Sequence, residues 1–298
     1  MKVLYATDGF DPAVNAGSVL EKIGDRDRLD VTAMSVTHTG IPAPEHAALM
    51  LDPVEARRKD TVALVDAACE KLVAAGFRAK GRVGEGHPGP EIVRAVEDDW
   101  YDLVVMGAAG RNWPGSRVLG SVSSYVLHNS PWSVMIVHEA LPHEGKSSVL
   151  VGTDDSRGTA FTIHTLTQFA DPNVTTVKVV SAFADRSPAF FAVPGALYVP
   201  SQPPEYSEEV RKHQLDHAQR LVDTAITELR NSGFETQSAV IEGHAAEALL
   251  KESSDGDFDL VAVGSRGLGP FRRALMGSVS DHVVRHARAT LVGRRLHV

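Results

Sequence analysis

The stretch DLVVMGAAGRNWPGSRVLGSVSSYVLHNS, residues 102–130, combines the local patterns from which the fold can be predicted. It begins with a continuous apolar run that is typical of a strand buried on both faces of a parallel sheet. A loop containing glycines follows, and then a predicted helix from Gly120 to His128. The same pattern returns as DLVAVGSRG at 259–267 and MGSVSDHVVRHA at 276–287. A unit that occurs twice indicates a duplicated α/β domain.

Two further blocks repeat in the same order. VLYATDGF at 3–10 returns as VLVGTDDS at 149–156, and VGEGHPGPEIVRAV at 83–96 returns as VIEGHAAEALLKES at 240–253. The two occurrences of each later block are further apart in the chain than the two occurrences of the first block. The second copy therefore contains an insertion. We assign the insertion to 181–206, a segment suited to binding a partner or covering a site. Its aromatic residues include Phe190, Phe191 and Tyr198.

The length of 298 residues accommodates two domains, each with its own core. Between the copies lies EALPHEGKS at 139–147, a polar stretch whose Pro142 and Gly145 are typical of a linker. We therefore expect one domain at 1–145 and a second at 146–298.

Five predicted strands alternate with helices in each copy. This alternation predicts an α/β fold, with a doubly wound five-stranded parallel sheet in a flavodoxin-like or related order in each of the two tandem domains. Asp11 is expected to cap a helix that has Pro12 at its first position and ends at Gly24. The alternating polarity of FRAKGRVG at 77–84 favours a strand near the sheet edge.

Composition narrows the classes of function. The formal net charge of −8 argues against general nucleic-acid binding, which needs a basic surface. No apolar run reaches the roughly eighteen residues of a membrane span, and the N-terminus does not have the pattern of a signal peptide. The single cysteine, Cys69, lies among apolar helical positions, which favours a buried inert thiol in a reducing compartment. We therefore predict a cytoplasmic protein that binds neither nucleic acid nor membrane.

The loop after the fourth strand has the same glycine spacing in both copies. Glycines permit a sharp turn and a close approach to backbone, and a helix that starts at Gly-Ser presents free N–H groups and its positive dipole end to a phosphate. Neither loop contains an acidic residue, and their arginines include Arg111 and Arg266. A single glycine pair would indicate only a turn, but the full spacing predicts a phosphate site. The spaced residues are Gly107, Gly110, Gly120 and Ser121 in copy one, and Gly264, Gly267, Gly277 and Ser278 in copy two.

An aspartate follows a threonine at the end of each first strand, in the pairs Thr7–Asp8 and Thr153–Asp154. In a doubly wound sheet, ligands bind outside the carboxyl ends of the strands at the switch point. We therefore expect Asp8 beside Gly107, facing the base or ribose of a ligand or a metal ion. A turn or helix-capping role is the alternative.

These motifs resemble the tandem universal stress proteins, specifically the ATP-binding branch of that family. The resemblance covers nearly the whole chain outside the linker and the insertion. It implies an adenine nucleotide alpha-hydrolase-like fold that binds ATP, ADP or AMP in each domain, with or without Mg²⁺. It also implies that the aspartate contacts the adenosine and that the loop and Gly-Ser hold ribose and phosphates. The base pockets are implied to be lined by Val36 and Met106 in copy one and by Val179 and Val263 in copy two. The expected nucleotide-binding residues are Thr7, Asp8, Val36, Met106, Gly107, Gly110, Arg111, Gly120, Ser121, Val122 and Ser123 in copy one, and Thr153, Asp154, Val179, Val263, Gly264, Arg266, Gly267, Gly277, Ser278, Val279 and Ser280 in copy two.

The resemblance further implies that the copies pair through their last strands. SVMIV at 133–137 and ATLVG at 289–293 are short, apolar and expected at a sheet edge, which is a liability if left unpaired. We expect them to pair with each other in a pseudo-two-fold arrangement, and two chains could then associate as a homodimer.

The copies differ near the expected phosphates. Copy one has Gly-Ala-Ala-Gly where copy two has Gly-Ser-Arg-Gly, and copy two carries an extra acid, Asp155. We expect unequal sites, with the better phosphate end in copy two.

No residue is assigned a catalytic or metal-binding role. His87 and His244 recur at a helix entry, where capping or local hydrogen bonding is expected, and Glu85 and Glu242 are interpreted as structural carboxylates. The main hypothesis is a nucleotide-binding stress or regulatory protein. The alternatives are a slow ATPase or nucleotidyl-transfer enzyme on the same scaffold, and a protein-interaction module whose nucleotide is structural or absent.

Overall fold

The computed structural model describes most of the chain. The described ranges are 1–38, 53–110, 119–141, 145–154, 156–183, 204–265 and 276–295. Most of the predicted insertion at 181–206, including Phe190, Phe191 and Tyr198, lies outside them. Its first three residues belong to a strand and its last three to a helix.

Strands and helices alternate through both copies. Copy one contains β1 Lys2–Ala6, α1 Asp11–Ile23, β2 Asp30–Thr37, α2 Pro53–Ala74, β3 Arg78–Glu85, α3 Pro88–Asp99, β4 Leu103–Gly107, α4 Ser121–Asn129 and β5 Trp132–Val137. Copy two contains β6 Ser147–Gly152, α5 Arg157–Phe169, β7 Thr175–Phe183, α6 Pro204–Asn231, β8 Glu235–Glu242, α7 Ala245–Asp255, β9 Leu260–Gly264, α8 Ser278–His286 and β10 Ala289–Arg295.

All ten strands form one sheet in the order β3-β2-β1-β4-β5-β10-β9-β6-β7-β8. Within each copy the neighbouring strands are parallel, and their order 3-2-1-4-5 matches the first five strands of a Rossmann-type sheet rather than the flavodoxin order. The predicted edge position of β3 is confirmed, and so is the pairing of the last strands, since β5 and β10 are antiparallel neighbours. Met135 lies opposite Leu291, close to the pseudo-two-fold axis.

Alternating side chains of the strands feed two hydrophobic clusters, one on each face of the sheet. Val3 and Leu103 face the cluster under α1, α2, α5 and α6, whereas Leu4 and Val104 face the cluster under α3, α4, α7 and α8. Both clusters continue without a break from one copy into the other. The helices therefore cover both faces, which confirms the doubly wound architecture.

One helix start differs from the prediction. Phe10 occupies the N-cap position of α1, so that Asp11 and Pro12 are its first two residues and Asp11 is not the cap. The predicted end at Gly24 is confirmed, because this residue caps the last turn through its own N–H.

A partly buried ion pair joins the copies away from the last strands. Lys22 Nζ lies 3.5 Å from Asp259 Oδ1, and both side chains are largely shielded from solvent. The second carboxylate oxygen of Asp259 accepts a hydrogen bond from the Ser148 N–H at 2.9 Å. No helix within the described ranges is both long enough and apolar enough to cross a membrane.

Candidate functional site

A cavity of about 580 Å³ opens at the carboxyl edge of the copy-one sheet, between the ends of β1, β2 and β4 and the first turn of α4. It brings together all the residues predicted for this copy that the structure describes. Those lining residues are Thr7, Asp8, Val36, Met106, Gly107, Gly110, Gly120, Ser121, Val122 and Ser123. Arg111 lies outside the described residues, as do Arg266 and Gly267 of copy two.

The two ends of the cavity differ in chemistry. Met34, Val36, Ile92 and Met106 supply apolar wall, of which the sequence predicted only the second and fourth. The other end is the start of α4, where the first helical hydrogen bond runs from the Ser124 N–H to the Gly120 carbonyl. The preceding N–H groups therefore have no partner inside the helix and form its positive end. Such a pocket suits a ligand with an apolar ring and an anionic tail.

The serine two positions after Gly-Ser holds the loop against the helix. Ser123 is 2% exposed, and its hydroxyl donates to the Ala108 carbonyl and, at 3.1 Å, to the Gly120 carbonyl. The Gly120 N–H donates to the same Ala108 oxygen at 2.8 Å. This structural bonding explains the G-S-V-S pattern and was not predicted from the sequence.

Copy two repeats these contacts atom for atom. Ser280 is also 2% exposed and donates to the carbonyls of Ser265 at 3.2 Å and Gly277 at 2.9 Å. The Gly277 N–H donates to the Ser265 carbonyl at 2.8 Å. Ser278 and Val279 follow in the first turn of α8, as Ser121 and Val122 do in α4.

The first loop glycine of each copy is required by its packing against the start of an earlier helix. A Cβ at Gly107 would lie 2.5 Å from the Pro12 carbonyl carbon, and one at Gly264 would lie 2.7 Å from the Gly158 carbonyl carbon. Real Cβ atoms do not approach backbone so closely. The close approach predicted at these glycines is therefore made by protein backbone at the starts of α1 and α5.

Asp8 lies beside the loop at the mouth of the cavity. Its Oδ1 accepts a hydrogen bond from the Phe10 N–H at 3.2 Å, and its Oδ2 would lie 2.9 Å from a Cβ at Gly110. The residue has exposed surface, yet desolvation by the surrounding protein raises the pKa of its carboxyl above the ordinary value. Gly110 thus leaves the space that this carboxylate occupies.

Asp154, the counterpart of Asp8, is bound more extensively. Its Oδ1 accepts hydrogen bonds from the Ser156 N–H at 3.1 Å, from the Ser156 hydroxyl and from the Thr159 hydroxyl at 2.7 Å. Copy one has Phe10 and Ala13 at the equivalent positions, whose side chains cannot donate hydrogen bonds. Both carboxylates accept a backbone hydrogen bond from their own turn, but that of copy two is held by two side-chain hydroxyls as well.

The prediction that Val179 lines the base pocket of copy two is wrong. The Thr7 N–H donates to the Met34 carbonyl and the Thr153 N–H to the Val180 carbonyl, so these two strand positions are equivalent. Val36 then corresponds to Ala182, and Val179 is completely buried in the cluster on the opposite face of the sheet. The sequence match that made Val179 the counterpart of Val36 was therefore three residues out of register. A shift by an odd number of residues moves a side chain to the other face of a strand. Val263 faces the same cluster as Met106, as expected.

The recurring glutamates and histidines near the cavity have structural surroundings. Glu85 forms an ion pair with Arg58 at 3.2 Å, and Glu242 forms one with Arg211 at 3.0 Å. His87 and His244 occupy the N-cap positions of α3 and α7, but their side chains make no capping hydrogen bond. Among the described residues, no group of three or more potential ligands is arranged for a metal ion.

The model of the universal stress protein family matches the chain twice, over residues 1–138 and 147–292. The chain belongs to the universal stress protein family. The two matches follow one another in tandem, as the repeated blocks predicted.

Curated members of the family align with part of this chain. A universal stress protein of Mycobacterium tuberculosis is 32% identical over 198 residues, which are 65% of this chain and 61% of that protein. A second from the same organism is 27% identical over 197 residues, which are 65% of this chain and 62% of that protein. The alignments thus span less than two thirds of the length of these relatives.

The fold is shared over a greater length. A universal stress protein structure from Archaeoglobus fulgidus matches with a TM-score of 0.62 at 20% identity, covering 99% of this chain and 96% of that one. The fold is therefore shared over nearly the whole length of both chains.

Proposed function

We propose that each copy binds an adenine nucleotide, ATP, ADP or AMP, and that the chain serves as a cytoplasmic nucleotide-responsive regulator in a stress response. The observation that carries the proposal is one cavity in which Asp8, an apolar wall and the first turn of α4 meet. Its volume of about 580 Å³ is in the ordinary range of small-molecule sites. The two sites belong to domains at 1–145 and 146–298.

The chemistry of the wall suggests how the nucleotide lies. The adenine packs against Val36 and Met106, and the phosphates accept hydrogen bonds from the N–H groups of Ser121 and Val122. A carboxylate repels phosphates, so Asp8 faces the adenosine end. Mg²⁺, when present, would reduce the charge of the phosphates. Replacement of Asp8 is therefore expected to lower the affinity for adenosine and for ATP alike.

The second site uses Thr153, Asp154, Gly264, Gly277 and Ser278. Its support is the repetition of the loop contacts at the start of α8. Fixation of Asp154 by Ser156 and Thr159 lowers the entropy lost when a ligand is bound. The two sites are accordingly unequal, with the tighter one in copy two.

The proposal is one of binding, not of turnover. The ion pairs of Glu85 and Glu242 support structural roles for these two recurring carboxylates. A slow ATPase or nucleotidyl-transfer enzyme is the alternative that phosphate release in the presence of Mg²⁺ would reveal. A protein-interaction module is the alternative favoured by an absence of nucleotide binding.

Titration calorimetry with ATP, ADP, AMP and cyclic AMP tests the proposal. Ser121→Glu and Ser278→Glu place a carboxylate at the exposed first position of each phosphate-binding helix, where it is compatible with the helix dipole but repels phosphate. Each variant should lose one ATP site, and the double variant should lose both. Ser121→Ala and Ser278→Ala, which retain the backbone N–H donors, are the controls. Wild-type stoichiometry in both glutamate variants would refute the assignment.

A further inference from the structure

A basic residue at the end of each of the two central strands, β5 and β10, contacts the other copy through its side chain. His138 directly follows β5, and Arg294 lies near the end of β10. The residues before them, Val137 and Gly293, lie opposite the terminal glycines of β4 and β9. His138 and Arg294 therefore hold equivalent positions about the pseudo-two-fold axis, although they are different residue types.

Arg294 reaches from copy two to the C-terminus of α4 in copy one. Its Nη1 donates to the carbonyls of His128 at 3.2 Å and Ser130 at 3.0 Å, and the residue is only 6% exposed. The last carbonyls of a helix have no partner within it and form the negative end of its dipole. The guanidinium satisfies two of these groups and opposes their charge.

His138 makes the reciprocal contact. Its Nε2 lies 2.7 Å from the carbonyl oxygen of Val284, in the last turn of α8. Since a carbonyl can only accept, Nε2 carries the proton and donates.

These two helices are the ones whose first turns form the proposed phosphate ends. Each is nine residues long, or about 14 Å, and a helix this short depends on packing and end contacts for its order. We propose that Arg294 and His138 are positioning residues, each of which fixes the phosphate-binding helix of the other copy. The ligand in this inference rests on the proposed function, but the restraint on the helices does not.

The restraint implies that ligand binding in one copy is thermodynamically coupled to the pairing of the two copies. If contacts made by copy two favour binding in copy one, then a nucleotide in copy one must stabilise the pairing of the copies by the same free energy. The two sites of one chain are therefore connected across the seam between β5 and β10.

Hydrogen exchange of the full chain without ligand tests the restraint. Arg294→Met, which keeps an unbranched side chain and removes the guanidinium donors, should speed exchange in α4 and leave α8 unchanged. His138→Leu should speed exchange in α8 and leave α4 unchanged. If Arg294→Met fails to fold, Arg294→Lys, which keeps the charge on a shorter side chain without a guanidinium, should still speed exchange selectively in α4. Uniform changes, or changes confined to the helix of the mutated copy, would overturn the proposal.

ATP titration adds a readout at the sites themselves. The Ser278→Glu background retains site one. In this background Arg294→Met should lower the affinity for ATP about five-fold and the affinity for adenosine by less than about two-fold. The two ligands differ because only ATP has phosphates that reach the start of α4. In the Ser121→Glu background, which retains site two, Arg294→Met should change ATP affinity by less than about two-fold. Equal losses at both sites would overturn the proposal. Absence of ATP binding in both backgrounds before Arg294 is changed would instead refute the proposed function, while hydrogen exchange still decides the positioning role.

Discussion

Gly107→Ala sets two known effects against each other. An alanine in a strand loses less backbone entropy on folding than a glycine, which alone would stabilise the protein by about 0.5–1 kcal/mol. The added Cβ, however, would lie 2.5, 2.6 and 2.8 Å from three backbone atoms of Pro12 and Ala13, where carbon contacts need about 3.5 Å. Overpacking of this kind costs about 1–3 kcal/mol, since the start of α1 must move. Because three backbone atoms lie this close, the overpacking cost falls toward the upper end of its range, and we expect a net loss of about 1–2 kcal/mol.

Thermal unfolding followed by circular dichroism measures the result. A loss of this size lowers Tm by about 2–8 °C in a domain of about 150 residues. Gly264→Ala, whose Cβ meets the backbone of Gly158 at 2.7 Å, should behave in the same way. Gly120→Ala is the control, because its nearest neighbour lies at 3.3 Å and little has to move. A Tm for Gly107→Ala equal to or above that of the wild type would refute the packing argument.

Three further predictions concern the site and the seam. Asp8→Asn should raise Tm at neutral pH, because desolvation raises the pKa of Asp8 in the folded state and its charge therefore costs stability above that pKa. The gain should shrink as the pH falls through that pKa, and a Tm difference independent of pH would contradict the reasoning. Ser123→Ala should lower the free energy of unfolding in urea by about 1 kcal/mol, with Ser280→Ala as its matched counterpart and Ser121→Ala as a neutral exposed control. Asp259→Asn should destabilise the chain measurably in the same assay, since Lys22 loses its shielded partner, and the effect should vanish in a Lys22→Met background.

The parts of the fold that local patterns encode were predictable from the sequence. Apolar runs and the repeated blocks marked the strands, and the family resemblance, supported by the edge argument, placed β5 against β10. The loop glycines and Asp8 were found because the carboxyl ends of neighbouring parallel strands meet at one edge.

Features that depend on distant packing or on register were not predictable. Val179 was misplaced although the connection from β6 to β7 is as long as that from β1 to β2, because the sequence match of β7 to β2 was three residues out of register and an odd shift reverses the face of a strand. The packing partner of Gly107 is a helix start far away in the chain. Arg294 and His138 share a role but not a residue type, so the repeat does not reveal them.

Native mass spectrometry of the full chain titrated with ATP tests the central claim most directly, because it counts ligands on each molecule. Two bound nucleotides per chain are predicted, with one filling at lower concentration, and a single one in Ser121→Glu and in Ser278→Glu. A spectrum of the wild type that shows no bound adenine nucleotide at saturating ATP would contradict the account.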